Sequence, residues 1–271
     1  MTIKTFKELE YEGWEQRAAA YEDLFTIITR QAIGPILGRL GEISNKHLLD
    51  VACGPGHLAG RASEQGAMTV GLDFSQAMVK QAALNYPQVS FLLGDAEVLS
   101  YPDRHFDVVT CAFGLMHFEN PESAMAEAFR VLQHGGRYVF TVWCSPQEGH
   151  EFLELVFNAI QRYGSFDVPL PPAPPMFRFT DESECRSVLE ATGFSEPVIS
   201  VLPLIWYGRI PQDVLDLTYK SIVRIPIVLA AQSNKNRLKI NQAILDGANQ
   251  YRTTEGIRMS FRAKLVLASK P

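Results

Sequence analysis

A chain of 271 residues, 46% of them apolar, can bury a substantial core, as one large domain or as a domain with an elaboration, so size does not limit it to a binding module. Its formal net charge of -5, without any cluster of Lys and Arg, argues against a phosphate-binding surface for nucleic acid or an anionic membrane. Cys53, Cys111, Cys144 and Cys185 stand far apart with no CxxC pair, the pattern of buried reduced thiols, so the expectation is no metal site and a cytoplasmic setting.

The first residues, MTIKTFKELEYEGWEQR, mix charges from the start and contain no apolar run of a secretory signal. No run of about 18 uncharged apolar residues follows, so no integral membrane segment is expected; IPIVLAA at 225–231 is far too short. Trp14, Ala18, Tyr21, Phe25, Ile28 and Ala32 recur at steps of three and four, which predicts one helix face ending near Gly34 and Pro35. Short apolar runs then alternate with helical stretches: strands at 47–52, 68–73, 89–94, 106–113 and 136–143, and helices near 57–65, 75–85 and 120–132. Apolar strands separated by helices predict a parallel sheet covered on both faces, a doubly wound α/β fold.

After Trp143 the pattern changes. Residues 151–163 read as a helix, 167–177 as a proline-rich connection, and 181–192 as a helix capped by Asp181 or Thr180. Residues 197–208 and 258–270 read as strands, and 211–250 holds two expected helices, one with Val214, Leu215, Thr218 and Ile222, the other with Ile240, Ile244 and Ala248 on one face. An insertion this long and this patterned is a candidate lid.

Between the first strand and its helix lies LLDVACGPGHLAG, residues 48–60. Gly54, Gly56 and Ala59 satisfy G-x-G-x-x-G/A, and Asp73 ends the second strand where a ribose-binding acid belongs. Pyridine dinucleotides and S-adenosylmethionine both require such a loop. Asp50 separates them: a carboxylate about 5 Å from a pyrophosphate charge is disfavoured by about 3 kcal/mol at an effective dielectric near 20, whereas a sulfonium or ammonium is favoured by a similar amount. Asp50 as a mere cap of the following turn is the plainer reading. Asp95 and Ala96, in GDAE after the third strand, suit an adenine edge; Asp95 as the cap of a short helix is the plainer reading there.

The stretches LLDVACGPGHLA, VGLDFSQAMV, GDAEVLSYPDRHFDVVTCAFGLMHF and AFRVLQHGGRYVFTVW, in this order and spacing over residues 47–143, resemble the class I S-adenosylmethionine-dependent methyltransferases, in particular the ubiquinone and menaquinone C-methyltransferase branch. The resemblance implies a Rossmann-like seven-stranded sheet with its last strand antiparallel, organised as an N-terminal helical cap (1–45), a methyltransferase core (46–210), a helical lid (211–250) and a final core strand (251–271). It implies that the backbone of Ala52, Gly54 and Gly56 wraps the methionine end of S-adenosyl-L-methionine, with Asp50 near its amino group. Asp73 takes the ribose hydroxyls, Phe74 and Met78 press on the adenine, Asp95 and Ala96 read its edge, and Ala112 lines the pocket. Ala52 departs from the glycine most common at that place.

Methyl transfer is an in-line displacement whose main requirement is alignment, and a base is needed only where the acceptor carries a proton. Of six histidines, His47, His57, His105 and His134 read as structural; His117, in GLMHF after the fourth strand, is the candidate base, ahead of His150. Tyr21 and Arg17 on the first helix are expected to close over the cofactor. The aromatic residues flanking the insertion suit a partly apolar small-molecule acceptor. The sequence thus predicts a methyltransferase that yields S-adenosyl-L-homocysteine, with a non-methylating rearrangement or cyclisation on the same fold and an NAD(P)-dependent oxidoreductase as alternatives.

Overall fold

The computed structural model describes residues 4–271. In chain order the helices are α1 (Phe6–Leu24), α2 (Thr26–Thr29), α3 (Ile33–Leu40), α4 (His57–Glu64), α5 (Gln76–Asn85), α6 (Pro121–Val131), α7 (Glu151–Tyr163), α8 (Glu182–Thr192), α9 (Pro211–Lys220), α10 (Arg224–Ala230) and α11 (Asn234–Ala248). The strands are β1 (His47–Val51), β2 (Met68–Asp73), β3 (Ser90–Leu93), β4 (Phe106–Ala112), β5 (Leu132–Trp143), β6 (Val198–Gly208), β7 (Arg252–Thr253) and β8 (Gly256–Ser269). The sheet order is β3-β2-β1-β4-β5-β8-β6, with the two-residue β7 paired to β8. The pairs β3–β2, β2–β1, β1–β4 and β4–β5 are parallel, and β8 runs antiparallel to β5. This is the α/β sheet that the alternation predicts, seven strands on its main path.

The chain divides into two compact units. One comprises 29–143, 173–202 and 263–271. Its central strands are buried on both faces: Leu48–Val51 of β1, Val108–Cys111 of β4 and Tyr138–Trp143 of β5 hold no exposed residue, as expected for parallel strands between helix layers. Caps fix the helix ends. Ser75 accepts from the Met78 amide at the start of α5, Asp181 accepts from Ser183 and Glu184 at the start of α8, and Gly193 (φ 105°) closes α8. The buried Lys270 ammonium donates to the carbonyls of Phe129 (2.7 Å) and Leu132 (2.9 Å), a cation placed on the carbonyl end of α6.

The other unit comprises the residues up to 28, 144–172 and 203–262. α7 buries Phe152, Leu153, Leu155, Val156, Ala159 and Ile160 and packs on α11, which turns Ile240, Ile244 and Ala248 inward. Phe152 stacks on Phe261 at 5.0 Å. A Cβ at Gly13 of α1 would lie 2.3 Å from Val223 Cγ1, so only glycine allows α1 to approach that segment so closely.

Three expectations need correction. The N-terminal helical path breaks at Phe25 and resumes as α2 and, after a 3-10 turn at Arg30–Ala32, as α3, which contains Gly34 and Pro35 instead of ending at them; Pro35 is third in α3, within the first turn where the missing N–H costs nothing. Residues 211–250 hold three helices, not two, because RIPIVLA forms α10 with Pro226 again in a first turn. No helix follows Asp95: its Oδ1 accepts from the Glu97 amide (3.0 Å) in a turn closed by a bridge to Val98.

Candidate functional site

The carboxyl ends of β1, β2 and β4 bring the sequence-derived acids together. Asp50 lies beside Gly71 on β2 and Thr110 on β4, and the Thr110 hydroxyl donates to its Oδ1 at 2.7 Å. Oδ2 is buried and has no hydrogen-bond partner in the structure. Burial pushes this carboxyl up to about 7, against the lowering effect of the Thr110 hydroxyl and the Ala59 amide, and the nearby Asp73 charge pushes it further.

Past Asp50 the backbone turns through left-handed conformations at Ala52 (φ 53°), Gly54 (φ 52°) and Gly56 (φ 80°). The two glycines have different reasons to be glycine. A Cβ at Gly56 would lie 2.6 Å from the Phe91 ring and 2.9 Å from Ala82 Cβ, so packing excludes a side chain; at Gly54 it would meet no protein atom within 4 Å, so the space over that residue is open. Ala52 bears the left-handed strain that glycine would relieve, and a Cβ at Gly114 would lie 2.8 Å from the Ala52 methyl, so the turn after β4 is built to admit it.

Asp73 fixes the loop to β2. Its Oδ2 accepts from the Gly54 amide (2.8 Å) and its Oδ1 from the Ser75 amide (2.9 Å). Burial raises its carboxyl to about 6; those amides and the charge of His117 oppose the rise. His117 ends the short 3-10 turn Leu115–His117 and is half-buried. Phe74, Asp95 and Ala112 are half-buried at the ends of β2, β3 and β4, while Met78 and Ala96 are buried. These residues share one unit with the loop. Tyr21 belongs to the other, where its ring meets Trp14 edge-on at 5.3 Å and stacks on Phe25 at 5.5 Å.

His150 has the geometry of a buried helix cap. Its Nδ1 accepts from the Leu153 amide (3.3 Å), its ring lies 4.8 Å from that of Phe261, and burial lowers it to about 3. His57 faces the Tyr86 hydroxyl (2.9 Å), and His134 the Pro271 carbonyl (2.6 Å).

Sequence reasoning missed four contributors. Thr110 is legible only once the register sets it against Asp50. Asn85 donates to the Pro55 carbonyl (3.0 Å), and Tyr86 holds His57, so the end of α5 braces the glycine loop. Phe113 has φ 59°, rare for a bulky residue; its amide reaches both Thr141 O and Thr141 Oγ1 at 3.1 Å, and its ring stacks on Trp143 at 4.0 Å.

The arrangement offers a buried carboxyl oxygen without a partner, open space over Gly54, and carboxyl groups at the ends of two adjacent strands. Residues 49–140 match the methyltransferase domain family. That stretch is similar to a methyltransferase domain. Among similar proteins, the demethylmenaquinone methyltransferase of Renibacterium salmoninarum is 35% identical over 114 residues, 42% of this chain and 48% of that one. The demethylmenaquinone methyltransferase of Thermus thermophilus is 40% identical over 114 residues, 40% of this chain and 52% of that one. The alignments thus span about half the length of these relatives. The solved structure of the [4+2]-cyclase SpnF superposes with a TM-score of 0.60 at 18% identity, covering 99% of this chain and 98% of that one, which establishes a shared fold. Among the described residues no helix is long and apolar enough to cross a membrane, and no group of three His, Cys, Asp or Glu side chains is placed to hold a metal ion.

Proposed function

We propose that this chain is an S-adenosyl-L-methionine-dependent methyltransferase acting on a small, partly apolar organic acceptor in the cytoplasm. The observation that carries the reading is Asp50: a buried carboxyl with one oxygen bound to Thr110 and the other unpartnered, beside a loop with open space over Gly54. A cationic ligand supplies the missing partner, and a pyrophosphate does not. The residues present fit S-adenosyl-L-methionine, which when bound supplies a methyl carbon already activated by its sulfonium.

The protein's task is then to bind and align. Asp50 attracts the positive charge at the methionine end, and the backbone of Ala52, Gly54 and Gly56 lets that end approach closely. Asp73 holds the Gly54 amide and takes the ribose hydroxyls with the lone-pair capacity that its amide bonds leave. Phe74 and Met78 press on the adenine, Asp95 and Ala96 read its edge, and Ala112 lines the cavity. His117 accepts the proton that an O–H, N–H or C–H nucleophile gives up. The relatives' names, demethylmenaquinone methyltransferase, make a quinol-type ring the first acceptor to test.

The test is incubation with methyl-labelled S-adenosyl-L-methionine and a reduced naphthoquinone, followed by incubation with a small-molecule cell extract. Label in a small product supports the proposal. Cofactor bound but no label in any product overturns it in favour of a non-methylating reaction on the same fold.

A further inference from the structure

The sheet register gives Asp50 unlike neighbours on its two sides. Across β4 it meets Thr110, and across β2 it meets Gly71. Residues paired across parallel strands point to the same face, so Asp50 has a hydroxyl on one side and no side chain on the other. Packing requires the glycine, because a Cβ at position 71 would lie 2.4 Å from the Phe91 ring and 3.0 Å from Cys53 Sγ. A side-chain donor therefore comes from β4 alone, which is why Oδ1 is bonded at 2.7 Å while Oδ2 is buried without a partner among the described residues.

Thr110 is fully buried, and its hydroxyl has a single hydrogen, which the bond to Oδ1 uses. A second hydrogen on Oδ1 would crowd the first, so a proton held by this carboxyl belongs on Oδ2. A buried carboxyl oxygen with no donor favours that protonated form, since ionised it would hold its charge away from water with nothing to balance it. The other acid–base groups within electrostatic reach are Asp73 at the end of β2 and the thiols of Cys53 and Cys111. Burial pushes both thiols up, so they stay neutral, and each Asp73 oxygen already accepts from an amide. The Ala59 amide of α4 and the Thr110 hydroxyl favour ionised Asp50, while His117, after β4, acts on Asp73. Asp50 is thus the group in this cluster placed to give up a proton when a positive charge arrives.

We propose that Thr110 is a positioning residue that confines the exchangeable proton of Asp50 to Oδ2, so that a cationic ligand binds by displacing that proton to solvent. The O–H bond at Oδ2 breaks, the proton passes to the buffer, and the carboxylate keeps the electron pair and faces the ligand's charge. The inference rests on the function proposed above, because only a cationic cofactor makes the exchange necessary; an uncharged nucleoside leaves the proton in place. Without the Thr110 hydroxyl the carboxylate loses its one side-chain donor, and the exchange becomes harder.

The experiment is calorimetry at about pH 7 in two buffers of different ionisation enthalpy, with S-adenosyl-L-methionine and with uncharged 5′-methylthioadenosine, on wild type, Thr110→Ser, Thr110→Val and Asp50→Asn. With the Asp50 carboxyl at about 7, wild type releases about half a proton on binding S-adenosyl-L-methionine and none on binding 5′-methylthioadenosine. Thr110→Ser matches wild type, Thr110→Val releases nearly a whole proton and binds S-adenosyl-L-methionine about 10-fold more weakly, and Asp50→Asn releases none. A wild-type binding heat that is the same in both buffers, a release that persists in Asp50→Asn, or equal release by Thr110→Val and wild type overturns the inference while leaving cofactor binding in place. No binding of S-adenosyl-L-methionine by wild type overturns the function proposed above and this inference with it. If Thr110→Val does not fold, the proton counts of wild type and Asp50→Asn still decide.

Discussion

Asp50→Asn is expected to stabilise the free protein and to cripple it as a binder of a cation. The Asp50 carboxyl rises from 3.8 to about 7 on folding, roughly three units, so holding it ionised above neutral pH opposes folding by at most about 4 kcal/mol. The sign follows from proton uptake: between the unfolded and folded values the native state holds a proton that the unfolded state has lost, so stability falls as pH rises from about 4 to about 7, then levels. Asp73, raised to about 6, adds a change of the same sign. Asparagine removes the ionisation cost and still accepts from Thr110, but it leaves a buried N–H pair without an acceptor, at about 1–3 kcal/mol. The net gain at about pH 8 is about 1–3 kcal/mol, or several degrees in melting temperature for a chain of this size; at about pH 5, where wild type carries only about 1.6 kcal/mol of the penalty, the gain vanishes or reverses. The same substitution removes the attraction for the ligand's positive charge, about 3 kcal/mol or roughly 100-fold in affinity for S-adenosyl-L-methionine. Thermal melts at the two pH values and calorimetry with the cofactor give both quantities. A variant that melts no higher than wild type at the higher pH, or that binds the cofactor undiminished, would refute the reasoning.

Gly54→Ala and Gly56→Ala should separate ligand clearance from packing: the first costs about 1–2 kcal/mol for its left-handed backbone yet abolishes detectable S-adenosyl-L-homocysteine binding, while the second adds a clash with Phe91 and loses more stability. Equal melting temperatures for the two variants would contradict the distinction. Asp73→Ala should abolish cofactor binding through the lost ribose bonds and the released Gly54 amide, measured by calorimetry; unchanged affinity would remove Asp73 from the site. His117→Ala should lower turnover by roughly 100-fold or more with cofactor affinity within a few-fold of wild type, and near-normal turnover would assign His117 a structural role.

The sheet was legible because its strands are uninterrupted apolar runs of the right length, and β2 (68–73) and α7 (151–163) fall where the pattern puts them. The break at Phe25 was not legible, because the apolar period of three and four runs straight through α1, α2 and α3 although the backbone does not. α10 was not legible either: RIPIVLA is apolar, β-branched and contains a proline, which reads as anything but helix, and its helicity comes from burial of Ile225, Pro226, Val228 and Leu229. At the site, the acids were legible as types at strand ends. Their states were not. That Asp50 keeps one oxygen unpaired depends on Thr110, 60 residues away in sequence and opposite only after β1 and β4 pair. The strain at Ala52 and Phe113 leaves no trace in composition, since neither residue type signals a positive φ.

The claim that the glycine loop and its acids receive a cationic nucleoside is tested most directly by titrating the protein with S-adenosyl-L-methionine and with NADH, by calorimetry across pH 6 to 8. The account predicts saturable binding of S-adenosyl-L-methionine that tightens as pH rises through the Asp50 value of about 7, and no binding of NADH. Binding of NADH, or cofactor affinity that is flat across this range, would contradict it.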